Sequence, residues 1–341
     1  MNGAYDKLLT LGIETSCDDT ALALLRGPRE IVADVVSSQI ADHSPFGGVV
    51  PELASRKHQE ALLPLLRVLL AQTGVTGKEI DLIAVTAGPG LMGSLLVGVM
   101  SAKALSQGWG VPLVGVNHLE GHLYAGVLAH ENLRPPFLCL IVSGGHTEIV
   151  LTREMGVYEL LGSTRDDAAG EAYDKAAKLL EFGYPGGPEI EQEAATGNDH
   201  AFDFPIGLKG TGTVEFSFSG LKTSLRTAVE KQRTGDTELP VADLCASFQR
   251  AVTESLLLKI KLAVKQTGIK KITISGGVAA NTRLREDLTQ MGTKRGWKIF
   301  LPPKKFCTDN AIMIAAAGHA AYSRGIRSDL TLTPDPSWNI F

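Results

Sequence analysis

Two apolar strand–turn–strand hairpins, one near the start of each half of the chain, constrain this fold more than any other feature. Residues 8–15 read as a buried strand and 20–25 as its antiparallel partner. Between them runs the polar turn Glu14-Thr15-Ser16-Cys17-Asp18-Asp19-Thr20. The pattern restarts with an apolar strand at 137–142, turns through Ser143-Gly144-Gly145-His146-Thr147 and returns over 148–152. In the first half a third strand is expected at 31–38. A loop at Gly47-Gly48-Val49-Val50-Pro51 and a helix over 52–71 follow, kinked or interrupted at Pro64. Next come a strand at 80–86, the turn Ala87-Gly88-Pro89-Gly90, a small-residue helix reaching Gln107, and a strand at 111–116. The order implies a βββαβα unit, and the second hairpin implies its duplication. In the second half, helices are expected over 166–180, after Ser217-Phe218-Ser219-Gly220 as far as Gln232, over 241–266, around 281–291 and over 311–323. A strand is expected at 270–275, a rigid loop at 183–188 and a polar linker at 233–240. Strands alternating with helices around Gly-rich turns make this an α/β protein with mostly covered sheets.

The strand at 111–116 leads into Asn117-His118-Leu119-Glu120-Gly121-His122. Asn117 is a good N-cap, and helical spacing stacks His118 and His122 on one face, a usable pair of imidazoles for one metal ion. The positive end of the helix disfavours imidazolium, so both rings are expected to be neutral. Glu120 projects to another side and cannot act as the general base of a His-Glu-x-x-His protease helix. Taken alone, the pair reads first as two surface histidines near a helix start, and only the rest of the chain favours the metal reading. Asp309 precedes the last helix: it is either that helix's N-cap or the third member of a two-His, one-carboxylate set. Such a set leaves open positions on iron or zinc. Asp174 reads as a surface ion pair with Lys178, Asn281 as a cap or a polar helix-surface residue, and Asp18 as a turn stabiliser. His146 reads as a core histidine or a support for a ligand.

Gly-rich turns follow strands at 88–90, 143–145, 186–187 and 276–277, where freed backbone N–H groups can cradle phosphate. No Gly-x-x-x-x-Gly-Lys-Ser/Thr or Gly-x-Gly-x-x-Gly follows a strand, which argues against a P-loop or a Rossmann site. A nucleotide held by two hairpins and a Gly-Gly-helix corner fits better. The chain has 341 residues, enough for two lobes each with its own core. Its net charge of −4 does not mark a nucleic-acid binder, so an RNA substrate requires local basic patches or a partner. The four cysteines are far apart and form no Cys-x-x-Cys, and residues 1–7 contain no apolar leader. The expectation is a reducing cytoplasm. Residues 82–102 carry no charge, but Gly88, Pro89, Gly90 and Gly93 break them into strand, turn and helix. No membrane span is expected.

Nine segments, in order along nearly the whole chain, resemble one family. Toward the N-terminus they are Gly12-Ile13-Glu14-Thr15-Ser16-Cys17-Asp18, Gly47-Gly48-Val49-Val50-Pro51-Glu52, Thr86-Ala87-Gly88-Pro89-Gly90-Leu91 and His118-Leu119-Glu120-Gly121-His122. Further on come Val142-Ser143-Gly144-Gly145-His146-Thr147, Asp167-Ala168-Ala169-Gly170-Glu171-Ala172, Phe216-Ser217-Phe218-Ser219-Gly220-Leu221-Lys222, Ser275-Gly276-Gly277-Val278 and Cys307-Thr308-Asp309-Asn310. Together they resemble the TsaD family, also called Gcp or YgjD, the tRNA adenosine threonylcarbamoyltransferases.

The resemblance implies an actin-like, hexokinase-like and Hsp70-like two-lobed fold with nucleotide in the inter-lobe cleft. Residues 1–134 plus 320–341 would form the first lobe and 135–319 the second, with most nucleotide contacts on the second. It further implies transfer of a threonylcarbamoyl group from threonylcarbamoyl-adenylate to N6 of the adenosine 3′ of the anticodon. One divalent metal ion per subunit, Fe(2+) with Zn(2+) as the alternative, would be held by His118, His122 and Asp309. Ile141, Val142, Ser143, Gly144, Gly145, Asp174, Gly187, Glu191 and Asn281 fall on the family's adenylate positions. Glu191 stands where the family usually has Asp, and Asp18-Asp19-Thr20 where it has Asp-Glu-Thr. The donor is an activated mixed anhydride, so no covalent nucleophile is needed, and Asp18 is the candidate to accept the proton of the attacking amine. The implied partners are tRNA, a TsaB paralogue and the TsaE ATPase. Three other readings compete on the residues alone: a metalloprotease, which lacks its glutamate; an ATP phosphotransferase of the same fold class; and a nucleotide-binding scaffold.

Overall fold

The first hairpin forms as β1 (Leu9–Glu14) and β2 (Asp19–Arg26), antiparallel with Ile13 opposite Leu22. Residues 5–233 and 238–341 are described in this computed structural model. Every residue of β1 is buried, as expected of a strand covered on both faces. β3 (Glu30–Ser38) extends the hairpin, followed by the short α1 (Ile40–His43) and by α2 (Pro51–Thr73). α2 runs unbroken through Pro64, so the expected interruption does not occur. Pro64 lies on the exposed side, while Leu62, Leu66 and Leu69 anchor the helix in the core. Each such leucine contributes roughly 2 kcal/mol of burial. β4 (Leu82–Gly88), α3 (Met92–Trp109), β5 (Leu113–Asn117) and α4 (His118–Ala129) complete the unit.

The second hairpin is β6 (Phe137–Val142) and β7 (Thr147–Glu154), extended by β8 (Val157–Ser163). Four helices follow: α5 (Ala169–Leu179), α6 (Gly186–Ala194), α7 (Ser219–Arg233) and α8 (Val241–Thr267). β9 (Lys271–Ser275), α9 (Thr282–Arg295), β10 (Lys298–Phe300) and α10 (Ala311–Ser323) close the chain. The two sheets have orders β3-β2-β1-β4-β5 and β8-β7-β6-β9-β10, the same path traced twice. In both, the central strand is antiparallel to the next strand and parallel to the fourth. The duplicated βββαβα plan is therefore present, with a helical insertion between β8 and β9.

Two compact units result. One contains the residues up to Glu131 together with Asp309–Ile340; the other contains Asn132–Thr308. The chain thus returns to the first unit at Asp309, where the sequence reading placed the return at residue 320. In the first unit the Ala-rich α10 lies against β1 and β4, and close approach makes small residues obligatory there. A Cβ at Gly12 would stand 2.2 Å from the Ala311 carbonyl oxygen, and one at Gly318 would stand 2.2 Å from Ala84 Cβ. In the second unit α5 starts at Ala169 rather than at 166, because Asp166 is engaged by Ser217, Phe218 and Ser219. The expected loop at 183–188 is half helix: Gly186 and Gly187 form the first turn of α6. Of the expected linker at 233–240, residues 234–237 lie outside the described residues.

Candidate metal centre

α4 begins where it was expected to, with Asn117 Oδ1 accepting the Leu119 N–H at 2.9 Å. That cap fixes the first turn, so His118 and His122 present their rings edge-to-face with centroids 4.7 Å apart. Neither is a surface residue: His118 is 6% exposed and His122 1%. The third member arrives at the start of α10. There Asn310, not Asp309, is the N-cap, its Oδ1 accepting the Met313 N–H at 2.9 Å. Relieved of capping, Asp309 places Oδ1 at 3.4 Å from His118 Nε2 and 3.3 Å from His122 Nε2. One donor atom from each of the three lies within 4.8 Å of the others, and all three belong to the first unit. The Asp309 side chain is 26% exposed, which leaves the set open on one side.

Behind His118 stands a group whose role the sequence reading did not single out. Glu14 ends β1 fully buried, and its Oε2 accepts from His118 Nδ1 at 3.0 Å and from Thr86 Oγ1 at 2.6 Å. The Ser16 N–H donates to Glu14 Oε1, and Ser16 Oγ lies 3.1 Å from His118 Nδ1. With its proton on Nδ1 toward Glu14, the ring turns the Nε2 lone pair toward Asp309. This carboxylate–histidine pairing orients metal ligands generally. The clue was in the sequence: an acid inside a strand otherwise buried and apolar needs a partner.

The electrostatics differ between the two rings. Burial, the largest influence on His118, opposes its charge, yet the Asp309 and Glu14 carboxylates outweigh it and hold the imidazole well above its ordinary pKa. His122, dominated by burial, is shifted down. Asp309 is opposed by burial but held far below the carboxylate range by His118 and then His122. Two carboxylates thus favour positive charge between them, and a divalent cation at the Nε2 side supplies it. The two imidazoles and one carboxylate, together with the carboxylate behind His118, fit a metal ion of the iron or zinc type.

The other candidates separate into two groups. Asp18 sits half-buried in the β1–β2 turn, two residues beyond Ser16. Its neighbour Asp19, mostly buried, is pushed up to about 6 by that burial. In the second unit, Ile141 and Val142 are buried at the end of β6, and Ser143, Gly144 and Gly145 form the turn that follows, the two glycines exposed. The Ser143 N–H donates to the His146 carbonyl, and Ser143 Oγ accepts the His146 N–H. His146 belongs to this turn and is only half-buried, so it is not a core histidine. Asp174 on α5 accepts the Gly186 N–H at 2.8 Å, docking the start of α6, where Gly187 lies. Asn281 caps α9, its Oδ1 accepting the Leu284 N–H, while its Nδ2 donates to Glu191 Oε2 at 3.2 Å and to Gln249 Oε1 at 2.7 Å. The Thr282 N–H donates to Glu191 Oε1 at 2.9 Å. The longer acid at 191 therefore reaches the α9 corner. Glu120, the would-be protease glutamate, is engaged by Arg324 at 3.2 Å.

Comparison with known proteins follows the same lines. A family model described as TsaD, tRNA N6-adenosine threonylcarbamoyltransferase, matches residues 30–316. The protein of that name from Clostridioides difficile strain 630 is 47% identical over 333 residues, covering 98% of each chain. Among solved structures, HypF from T. kodakarensis aligns with a TM-score of 0.63 at 15% identity, over 94% of this chain and 48% of that one. The activator of 2-hydroxyisocaproyl-CoA dehydratase from Clostridium difficile, with bound ADPNP, gives 0.55 at 14% identity over 94% and 99%. These two likenesses concern the fold alone and agree with the two-lobed actin-like class.

Proposed function

Because the chain belongs to the TsaD family of tRNA N6-adenosine threonylcarbamoyltransferases, we propose a division of that reaction among its residues. The enzyme transfers a threonylcarbamoyl group from threonylcarbamoyl-adenylate to N6 of the adenosine 3′ of the anticodon, in tRNAs reading codons that start with A. AMP is released. The observation that carries the assignment is the convergence of His118 Nε2, His122 Nε2 and Asp309 Oδ1. These atoms would hold one divalent ion per subunit, Fe(2+) in preference to Zn(2+), which supplies Lewis acidity toward the donor's oxygens. Glu14 keeps His118 in the ligating tautomer. The backbone N–H groups of Gly144 and Gly145 receive the phosphate that leaves as AMP. Ile141, Val142, Asp174, Gly187, Glu191 and Asn281 frame the adenylate. N6 attacks the carbamoyl carbon, the bond from that carbon to the phosphate oxygen breaks, and Asp18 accepts the amine's proton.

Partner docking belongs to the first unit. Met92, Leu96 and Met100 recur every four residues along α3 and are 51%, 46% and 53% exposed, while Leu63 of α2 is 54% exposed. An exposed apolar stripe of this kind fits a partner subunit, here the TsaB paralogue, with the TsaE ATPase completing the assembly. No helix among the described residues is long and apolar enough to cross a membrane. Transfer from synthetic threonylcarbamoyl-adenylate to unmodified tRNA, assayed with and without metal and partner proteins, tests the scheme. His118→Ala, His122→Ala and Asp309→Ala are each expected to abolish transfer. Full transfer by the triple variant in chelator would sink the assignment.

A further inference from the structure

We propose that the outer face of α9, together with the edge strand β10, is the surface on which the tRNA phosphate backbone docks. This rests on the transferase reading above. The charge of the chain is unevenly placed. Residues 255–308 carry twelve Lys and Arg against two Asp and Glu, whereas the remaining residues carry 21 against 35. A segment of net charge +10 therefore sits in a chain of −4 overall, and such a block is the electrostatic footprint of a polyanion partner.

Some of these cations are internal. Lys259 is fully buried against the Leu208 and Thr213 carbonyls, Arg283 is paired with Asp287 and Asp199, and Arg285 is tied to the Ala279 and Pro302 carbonyls. Lys294, Arg295, Lys298, Lys304 and Lys305 are exposed, and none of them lies in an ion pair among the described residues. Elsewhere on the surface several cations are neutralised, as in Arg26–Glu30, Arg56–Glu52 and Arg165–Glu215, and those that are not, such as Lys7, Arg67 and Lys209, are far apart in the sequence. Lys298 stands directly opposite Lys271 across the parallel pair β9–β10. The Lys271 ammonium donates to the Arg134 carbonyl, while Lys298 is exposed at the edge.

The shape suits a chain of phosphates. A groove of about 560 Å³ runs along α9 from Thr282 to Lys294, walled on its other side by Leu301 and Lys304. At 1.5 Å per residue the helix gives it a length of about 20 Å. Leu301 is the one large apolar side chain in its lining, and Glu286 the one acid. A protein-binding groove would need several aromatic or aliphatic anchors, and this one offers a single leucine, its walls otherwise formed by the aliphatic stems of Thr, Gln, Arg and Lys side chains. Trp297 is half-buried, with the Arg295 guanidinium 5.7 Å over its ring, and so holds that cation at the surface. The groove ends at Thr282, next to Asn281 of the adenylate set. RNA lying in it is thereby led toward the donor.

The test uses the full chain and a fluorescent, unmodified tRNA transcript, with affinity measured between 50 and 300 mM salt. The charge reversal Lys294→Glu/Arg295→Glu/Lys298→Glu is expected to weaken binding more than about thirtyfold at 100 mM salt. The slope of log K against log salt should become shallower by about 2 to 3. The milder Lys304→Ser/Lys305→Ser is expected to weaken binding by about tenfold, and circular-dichroism melting checks that both variants fold. An equal reversal at the exposed Lys7, Arg67 and Lys209 should do far less. Native-like RNA binding by the first variant overturns the proposal, as does native-like RNA binding combined with lost retention of the partner ATPase. If native protein binds tRNA through this face but transfers nothing to it, the reaction assignment fails and the docking surface stands. If native protein transfers and the reversal variant matches it in KM for tRNA, the docking surface fails alone.

Discussion

At the level of single residues, the centre depends on what stands behind the ligands. Glu14→Gln keeps shape and a hydrogen bond but removes the charge that fixes His118. We expect metal affinity to fall by about 10- to 100-fold, measured by competition with a chromophoric chelator. Glu148 offers a check unrelated to the metal. Burial pushes this carboxyl up from 4.5 to about 7. Between those pH values the native state binds more protons than the unfolded chain, so stability is fullest below 4.5 and is lost as pH rises through 7. The loss is up to about 3 kcal/mol. Glu148→Gln should remove this dependence and melt higher than native at pH 8, with little difference at pH 4.5; parallel melting curves at both pH values would refute it. Residue-scale legibility was uneven. The histidine pair could be read from its spacing, but the choice between Asp309 and its neighbour as helix cap could not. That choice turns on which side chain reaches the Met313 N–H, and in the structure it is Asn310.

At the level of elements, α10 is the lever that places Asp309. It seats against β1 only because Gly12 lets the Ala311 carbonyl approach. Gly12→Ala should therefore destabilise the protein by about 1–3 kcal/mol and also weaken metal binding, since the helix start moves with its ligand. Loss of stability with unchanged metal affinity would separate the two roles. The elements easiest to foresee were the long or fully buried ones, α8 and β1 among them. β8 and β10 were not foreseen as separate strands: β8 is half exposed without clean alternation, and β10 has three residues. α6 as a whole was not foreseen: two glycines and a proline signal a loop, while the Asp174 bond to the Gly186 N–H makes them a first turn.

At the scale of the whole molecule, the duplication was legible from the two hairpins, although sequence identity between the halves could not establish it. The matching strand orders do. Since all three ligands belong to one unit, metal should stabilise that unit selectively. Trp109 and Trp338 lie in it and Trp297 in the other. In a Trp297→Phe protein, added Zn(2+) should move the fluorescence-detected urea midpoint upward. A protein keeping Trp297 as its sole tryptophan should show a smaller shift, and equal shifts would contradict the prediction. The first unit is also assembled from both ends of the chain, with its carboxylate ligand following the entire second unit. On the ribosome, then, the paired imidazoles emerge long before Asp309 is translated. The nascent chain cannot complete the site, ion capture waits until synthesis has passed the last helix, and a prematurely terminated product is left unable to load.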